Sequence, residues 1–329
     1  MLAERPASHD LYAMSDQTNP FDQWFKTSGL ADLFDAAKTT PGLRDAVAKA
    51  RDLVESPAIP VEQRIDIEIA GGDGPIPARI YVPYGADPAP GPGLIFYHGG
   101  GFTIGSLDTY DPLCQRLAAV SGVRICSVGY RLAPEHPYPA AVDDAFASFD
   151  AALSGALDGH GFDSARLAVG GDSAGGNLAA TLARERRDSV IFQLLLYPVL
   201  QLVQVKKDRP RWQEGPMLST ATLEEIKKRY LKGADPTDVR VSPLMASDLT
   251  GLPPAWMLAA EFDPLLEEGE AYASKLAAYG VPVERKVYAT APHGFLNLSR
   301  IMPQCITALE DAAKALAKGV TRPAPSMPA

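Results

Sequence analysis

A serine stands between two glycines at Gly171-Asp172-Ser173-Ala174-Gly175, where the short apolar run Leu167-Ala168-Val169 gives way to an alanine- and leucine-rich stretch. The G-x-S-x-G spacing suits a sharp strand-to-helix turn. Glycines remove Cβ atoms that would collide with neighbouring backbone, and the hydroxyl is held up at the sheet edge. The helix N-terminus beneath it favours the negative charge that develops when a hydroxyl attacks an acyl carbon. A serine at such a junction can equally be a helix cap, and this motif alone does not decide between the two roles.

A serine hydroxyl is a weak nucleophile until a base takes its proton. In strand-turn-helix nucleophile sites the chain order is nucleophile, acid, histidine. Of the five histidines (His9, His98, His136, His160 and His293) only His293 follows Ser173. It sits in "ATAPHGFLN", just beyond the last expected strand, where a loop at the carboxyl end would carry it. Most carboxylates between the two fall inside regular elements or in a long insertion, which leaves Glu261 and Asp263 at the end of "PAWMLAAEF". Position favours Asp263. It also precedes Pro264 and so suits a helix N-cap, a role compatible with the first.

The fourth component is "YHGGGFTIG", residues 97–105. Three consecutive glycines cost conformational entropy, so they suggest backbone that must approach something closely. Amide N–H groups aimed at a carbonyl oxygen would stabilise an oxyanion, at roughly 10²–10³ in rate per donor, together with the N–H after the nucleophile, that of Ala174. A phosphate-binding turn is the rival, but neither a Lys-Ser or Lys-Thr pair nor G-x-G-x-x-G follows. His98 precedes the serine and is expected to brace the loop.

Elements must place these residues. From about residue 62 strand-like and helix-like segments alternate. "RIDIEIA" and "PARIYVPY" read as an antiparallel edge hairpin, and "GLIFYH", "VRICSVGY", "RLAVGG", "VIFQLLLYP", "PAWMLAAEF" and "VERKVYA" as further strands. Helical patterns fall at 107–120, 140–157, 174–187, 265–279 and 299–317. The alternation predicts a mostly parallel sheet with helices on both faces and a site at the carboxyl ends of the strands. Two segments break the rhythm. Residues 1–56 carry helical patterns and the aromatics Phe21, Trp24, Phe25 and Phe34, and residues 199–253 interrupt two core strands. In the latter, "TATLEEIKKRYL" reads as a helix with Leu223, Ile226 and Tyr230 on one face and Thr222-x-x-Glu225 as a capping box. Together the two segments are expected to cap the strand ends.

The 329 residues are 46% hydrophobic and 22% charged, as in a packed soluble protein. A net charge of −9, with short and interrupted basic runs, argues against a nucleic-acid partner. Three scattered cysteines, Cys114, Cys126 and Cys305, fit reduced thiols in the cytoplasm better than disulfides or a metal cage. No signal peptide is read at "MLAERPASHDLYAM", and the longest apolar stretch, "VIFQLLLYPVLQLV", is broken and too short to span a bilayer.

Taken together, "HGGGF", "YRLAPEHPYPAAVDD", "GGDSAGGNLAA", "SPL", "LPPAWMLAAEFDPL" and "HGF" resemble the hormone-sensitive-lipase-like family, the branch carrying GDSAG. The resemblance covers roughly residues 60 to 300. It implies an α/β-hydrolase fold: a mostly parallel eight-stranded sheet flanked by helices, under a helical cap. It also implies a serine carboxylesterase without metal or organic cofactor. Ser173, Asp263 and His293 would be its triad, and Gly100, Gly101 and Ala174 its oxyanion donors, with Gly99 supporting the turn. The "YRLAPEH" segment would be structural, which keeps Asp143 and Asp144 out of the chemistry. Residues 200–218 depart from the family pattern, and Trp212 within them is a candidate pocket residue.

The expected organisation is a cap segment at 1–56, core at 57–198, cap insertion at 199–241, core again at 242–318 and a disordered tail at 319–329. The expected partner is a small ester of short to medium acyl chain, and the last strand offers an edge for a homodimer. An amidase or peptidase with the same triad, or a non-catalytic receptor on this fold, are the rival functions. The receptors of this fold lack the histidine that is present here as His293.

Overall fold

The computed structural model describes Phe25, Ser28 and residues 39–205 and 217–321. The expectations for Phe21, Trp24, Phe34, Trp212 and the tail beyond residue 321 lie outside the described residues.

Eight strands form one sheet: β1 (Gln63–Gly71), β2 (Gly74–Val82), β3 (Gly91–Tyr97), β4 (Arg124–Val128), β5 (Phe162–Asp172), β6 (Val190–Leu196), β7 (Ala255–Phe262) and β8 (Val283–Pro292). Their order is β1-β2-β4-β3-β5-β6-β7-β8. β2 runs antiparallel to both its neighbours, and from β4 to β8 every pairing is parallel. The outer β1 alternates exposed with sheltered residues, whereas β4 and most of β3, β6 and β7 are buried without a break. That contrast follows from position: inner parallel strands are covered on both faces and an edge strand on one.

Among the described residues the main helices are α1 (Thr40–Val54), α2 (Asp111–Ser121), α3 (Ala140–Leu153), α4 (Ala174–Glu185), α5 (Thr220–Leu231), α6 (Leu266–Ala278) and α7 (Gln304–Val320). Two apolar cores lie on opposite faces of the sheet. Ile95 and Tyr97 of β3 point into one with Val142 of α3, Leu178 of α4 and Tyr272 of α6. Leu94 and Phe96 point into the other with Leu117 of α2 and Leu309 of α7. Successive strand residues alternate between the faces because the side-chain period is two.

Several expected helix ends shift. α2 begins at Asp111 and not at 107, with Pro112 in its first turn. α7 begins at Gln304, after Pro303, and not at 299. It runs on to Val320, so the first residues of the expected tail are helical. The start of α5 is also corrected. The cap is Ser219, whose Oγ accepts from the Thr222 N–H at 3.1 Å, and Glu225 binds Arg229 at 2.6 Å. Ser219 and Thr222 are both good N-cap types three residues apart, and the helix took the earlier one.

Candidate active site

Ser173 follows β5 with a positive φ of 52° and ψ of −115°, and its side chain caps nothing. The hydroxyl instead lies 2.8 Å from His293 Nε2. The glycines around it are required by contact. A Cβ on Gly175 would stand 1.8 Å from the Tyr97 carbonyl oxygen, and one on Gly171 would stand 2.4 Å from the backbone of Gly175. The first turn of α4 therefore sits directly against the end of β3. The Ser173 N–H donates to the Leu196 carbonyl at 2.9 Å, which ties the strained residue to β6.

His293 follows β8 directly. Its Nδ1 lies 2.7 Å from Asp263 Oδ2, and that carboxylate is 1% exposed. The other oxygen, Oδ1, accepts from the Leu265 N–H at 2.8 Å, so one side chain both faces the imidazole and turns the chain toward α6. An Nδ1–H given to the carboxylate leaves Nε2 as acceptor for the serine proton. Glu261 is elsewhere: it accepts from the Thr290 N–H at 2.6 Å on the exposed side of β8. Tyr197, which the sequence did not single out, packs its ring 4.9 Å from that of His293.

The glycine loop lies opposite. Gly100 and Gly101 have φ of +110° and +58°, and a Cβ on Gly100 would stand 2.3 Å from the Ile104 carbonyl oxygen. The Gly100 carbonyl takes the N–H groups of Thr103 and Ile104, which folds the loop back on itself. Gly100 and Gly101 line the same cavity as Ser173 and His293, and Ala174 is the first residue of α4. His98 braces the turn: its Nδ1–H donates to the Gly99 carbonyl at 2.7 Å and its ring stacks on Tyr130 at 4.4 Å. Burial holds the His98 imidazole down at about 4, hence neutral.

Asp172 was missed. Its Oδ1 accepts from the Gly99 N–H at 2.6 Å and its Oδ2 from the Tyr110 hydroxyl at 2.9 Å, so the residue before Ser173 holds the glycine loop in place. Burial pushes this carboxyl up to about 6, against the pull of those hydrogen bonds. In the sequence it was only the variable position of G-x-S-x-G. Asp144, fully buried, takes the Arg131 guanidinium and the backbone N–H groups of Gly72 and Arg131, which is structural work remote from Ser173.

A cavity of about 500 Å³ opens above Ser173. Its roof is built from both irregular segments. Leu43, Val47 and Val54 of α1 line it, as do Ala221 and Ile226 of α5. Arg229 of α5 joins the two helices by donating to Thr40 Oγ1 at 2.9 Å. Phe102 of the glycine loop stacks on Tyr230 of α5 at 3.8 Å, so roof and loop share a contact. Glu55, which follows α1, also lines the cavity and carried no signal in the sequence.

Residues 94–297 match the family described as the α/β hydrolase fold. The carboxylic ester hydrolase LipN of Mycobacterium tuberculosis is 43% identical over 72% of this chain and 65% of its own length, just under two thirds. The carboxylesterase NlhH of the same organism is 37% identical, covering 83% of this chain and 89% of its own. Among solved structures, an α/β hydrolase from the metagenome of Lake Arreo superposes with a TM-score of 0.82 at 39% identity, over 89% of this chain and 97% of the other. A thermostable esterase of Pseudomonas putida gives 0.84 at 29% identity, over 93% and 97%.

Proposed function

Since the chain belongs to the hormone-sensitive-lipase-like carboxylesterases of the α/β-hydrolase fold, we propose that it hydrolyses esters of short to medium acyl chain with Ser173 as nucleophile, His293 as base and Asp263 as the group that orients the imidazole. The observation that carries this reading is the relay itself: 2.8 Å from hydroxyl to Nε2 and 2.7 Å from Nδ1 to carboxylate, facing a cavity of about 500 Å³. Nε2 takes the proton as Ser173 Oγ attacks the ester carbonyl, and Asp263 stabilises the imidazolium that results. The carbonyl oxygen, now negative, rests against the N–H groups of Gly100, Gly101 and Ala174. Collapse breaks the bond to the alcohol oxygen, which receives the proton from Nε2. Water, deprotonated by the same imidazole, attacks the acyl-enzyme, and the acid leaves as the serine recovers its hydrogen.

A cavity near 500 Å³ is in the ordinary range for small ligands, which supports short and medium chains over long ones. Ser173→Ala is expected to lower turnover of 4-nitrophenyl butyrate by roughly 10⁴-fold or more. A variant that hydrolyses it at the wild-type rate refutes the assignment.

Two coarser features support further readings. β8 is the outer strand of the sheet and exposes Val287, which suits antiparallel pairing with a second copy across a two-fold axis. Light scattering on the purified chain tests this, and a monomer at micromolar concentration refutes it. The three cysteines are free and buried, in keeping with a reducing cytoplasm. No described helix is long and apolar enough to cross a membrane.

A further inference from the structure

One side chain of the roof covers Gly101. A Cβ on Gly101 would stand 2.5 Å from Ile226 Cδ1, 2.8 Å from its Cγ1 and 3.4 Å from its Cγ2, and these are the three atoms nearest to it. Ile226 therefore lies against the Gly101 Cα at contact distance. It is half-buried and lines the cavity together with Ser173. One flank of the side chain meets the backbone assigned above to the carbonyl oxygen, and the other meets the space a substrate fills.

Ile226 has little freedom to withdraw. A side chain branched at Cβ keeps few χ1 states in a helix. One turn further along α5, Tyr230 stacks on Phe102 at 3.8 Å, and its carbonyl accepts the Tyr138 N–H at 2.8 Å. Directly after Ile226, Lys227 Nζ donates to the Val203 carbonyl at 2.9 Å. These ties hold α5 down on the glycine loop at the level of Ile226.

The two arms of an ester leave the reacting carbon toward different ends of this cavity. The alcohol oxygen takes its proton from His293 Nε2, which draws the alcohol arm to the His293 end. Met217 stands there, its Cε 3.8 Å from where a Cβ on Gly294 would be. The carbonyl oxygen rests about 3 Å from its N–H donors on the glycine loop, and the acyl α-carbon, one bond from the same carbonyl carbon, is left on the loop side under Ile226. We propose that Ile226 is a specificity-determining residue that crowds the acyl α-carbon, so that this site takes esters of acids unbranched at that carbon and rejects α-branched ones. The proposal rests on the ester-hydrolysing reading above and narrows the acids it admits. A methyl group added to the α-carbon must push Ile226 aside or shift the carbonyl off its donors, and in filled space either is costly.

The test uses ethyl propionate and two esters with one more methyl group: ethyl isobutyrate carries it on the acyl α-carbon, isopropyl propionate on the alcohol carbon. The latter two are isomers, so they differ in where the methyl stands and not in apolar content. Acid release by the purified full chain is followed by titration, and each ratio of kcat/KM values is divided by the corresponding ratio for alkaline hydrolysis. The wild type is expected to prefer ethyl propionate to ethyl isobutyrate by about tenfold or more on that scale. Ile226→Ala should bring the preference to about one, and Ile226→Val, which loses only the Cδ1 nearest Gly101, to about three. The preference for ethyl over isopropyl propionate should stay at its wild-type value in both. Each ratio is taken within one preparation, so a loss of folded protein cancels, and if Ile226→Ala yields no folded protein the Val variant decides. A wild-type preference of one overturns the proposal, as does a preference that neither variant lowers. An isopropyl ratio that falls as far as the isobutyrate ratio also overturns it, because Ile226 would then bound the cavity without facing the acyl arm. Failure of the parent reading looks different: none of the esters is turned over, or all are turned over equally well by Ser173→Ala.

Discussion

The carboxylate of Asp172, 1% exposed, touches both Gly99 and Tyr110, so its loss should be felt in the glycine loop and not in the triad. Asp172→Asn keeps the shape but gives up one of two accepting oxygens. It is expected to lower kcat for 4-nitrophenyl butyrate by about 10- to 100-fold with little change in KM, because the loop's donors act chiefly in the transition state. Steady-state kinetics check the split. Buried titratable groups also make stability depend on pH, in opposite senses. The folded protein withholds a proton from His98 down to about 4, against an ordinary 6.5, so this group erodes stability as pH falls through that window. Glu55 keeps its proton up to about 8, against an ordinary 4.5, so it erodes stability as pH climbs through that window. The melting temperature of Glu55→Gln relative to wild type is therefore expected to rise from pH 5 to pH 8 and then level off. A difference independent of pH would contradict the burial of that carboxyl. Ser173, Asp263 and His293, which the structure brings into hydrogen-bond contact, could be paired from the sequence because chain order and the scarcity of histidines leave few choices. Asp172 and Glu55 were not, because a buried carboxyl acquires its role from what folds against it, and no local spacing records that.

At the scale of elements, α5 forms part of the roof and its first turn hangs on Ser219. Ser219→Ala removes one cap, worth about 1 kcal/mol. The N–H groups at the start of α5 should then exchange faster with deuterium, and KM should rise more than kcat falls. The glycine turn is less forgiving. Gly100→Ala combines a φ of +110° with a clash against the Ile104 carbonyl, and is expected to cost roughly 10²–10³ in kcat. Gly122, at the end of α2, has a φ of +70° but open space around it, so Gly122→Ala should lower the melting point and leave kcat alone. All eight strands were readable, because two-residue alternation marks a strand and the unbroken apolar runs are too short for helices and rich in β-branched and aromatic residues. Helix starts were less so. Pro112 and Pro303 stand at the true beginnings of α2 and α7, a signal that periodicity alone passes over.

Over the whole molecule the alternation of strands and helices foretold the layers, while the joint between the two roof segments was invisible. Thr40 and Arg229 meet across 189 positions of sequence, and nothing in either neighbourhood names the other. Arg44 is a comparable long-range tie. From α1 it donates to the carbonyls of Thr103 and Ala133 and pairs with Glu135, so α1, the glycine turn and the "YRLAPEH" segment share one side chain. Arg44→Ala is expected to loosen all three at once, lowering kcat/KM about tenfold and raising deuterium uptake in both α1 and residues 100–105. Uptake that changes in α1 alone would show that the turn stands without it.

The close seating of α4 against β3 has a practical consequence for anyone who wishes to redirect this catalyst. Gly171, Gly175 and Gly176 leave no space for even one methyl group beneath the nucleophile. Libraries that randomise this floor will mostly return dead clones. The ceiling, where α1 and α5 turn Leu43, Val47, Ala221 and Ile226 toward the cavity, is where new selectivity should be sought.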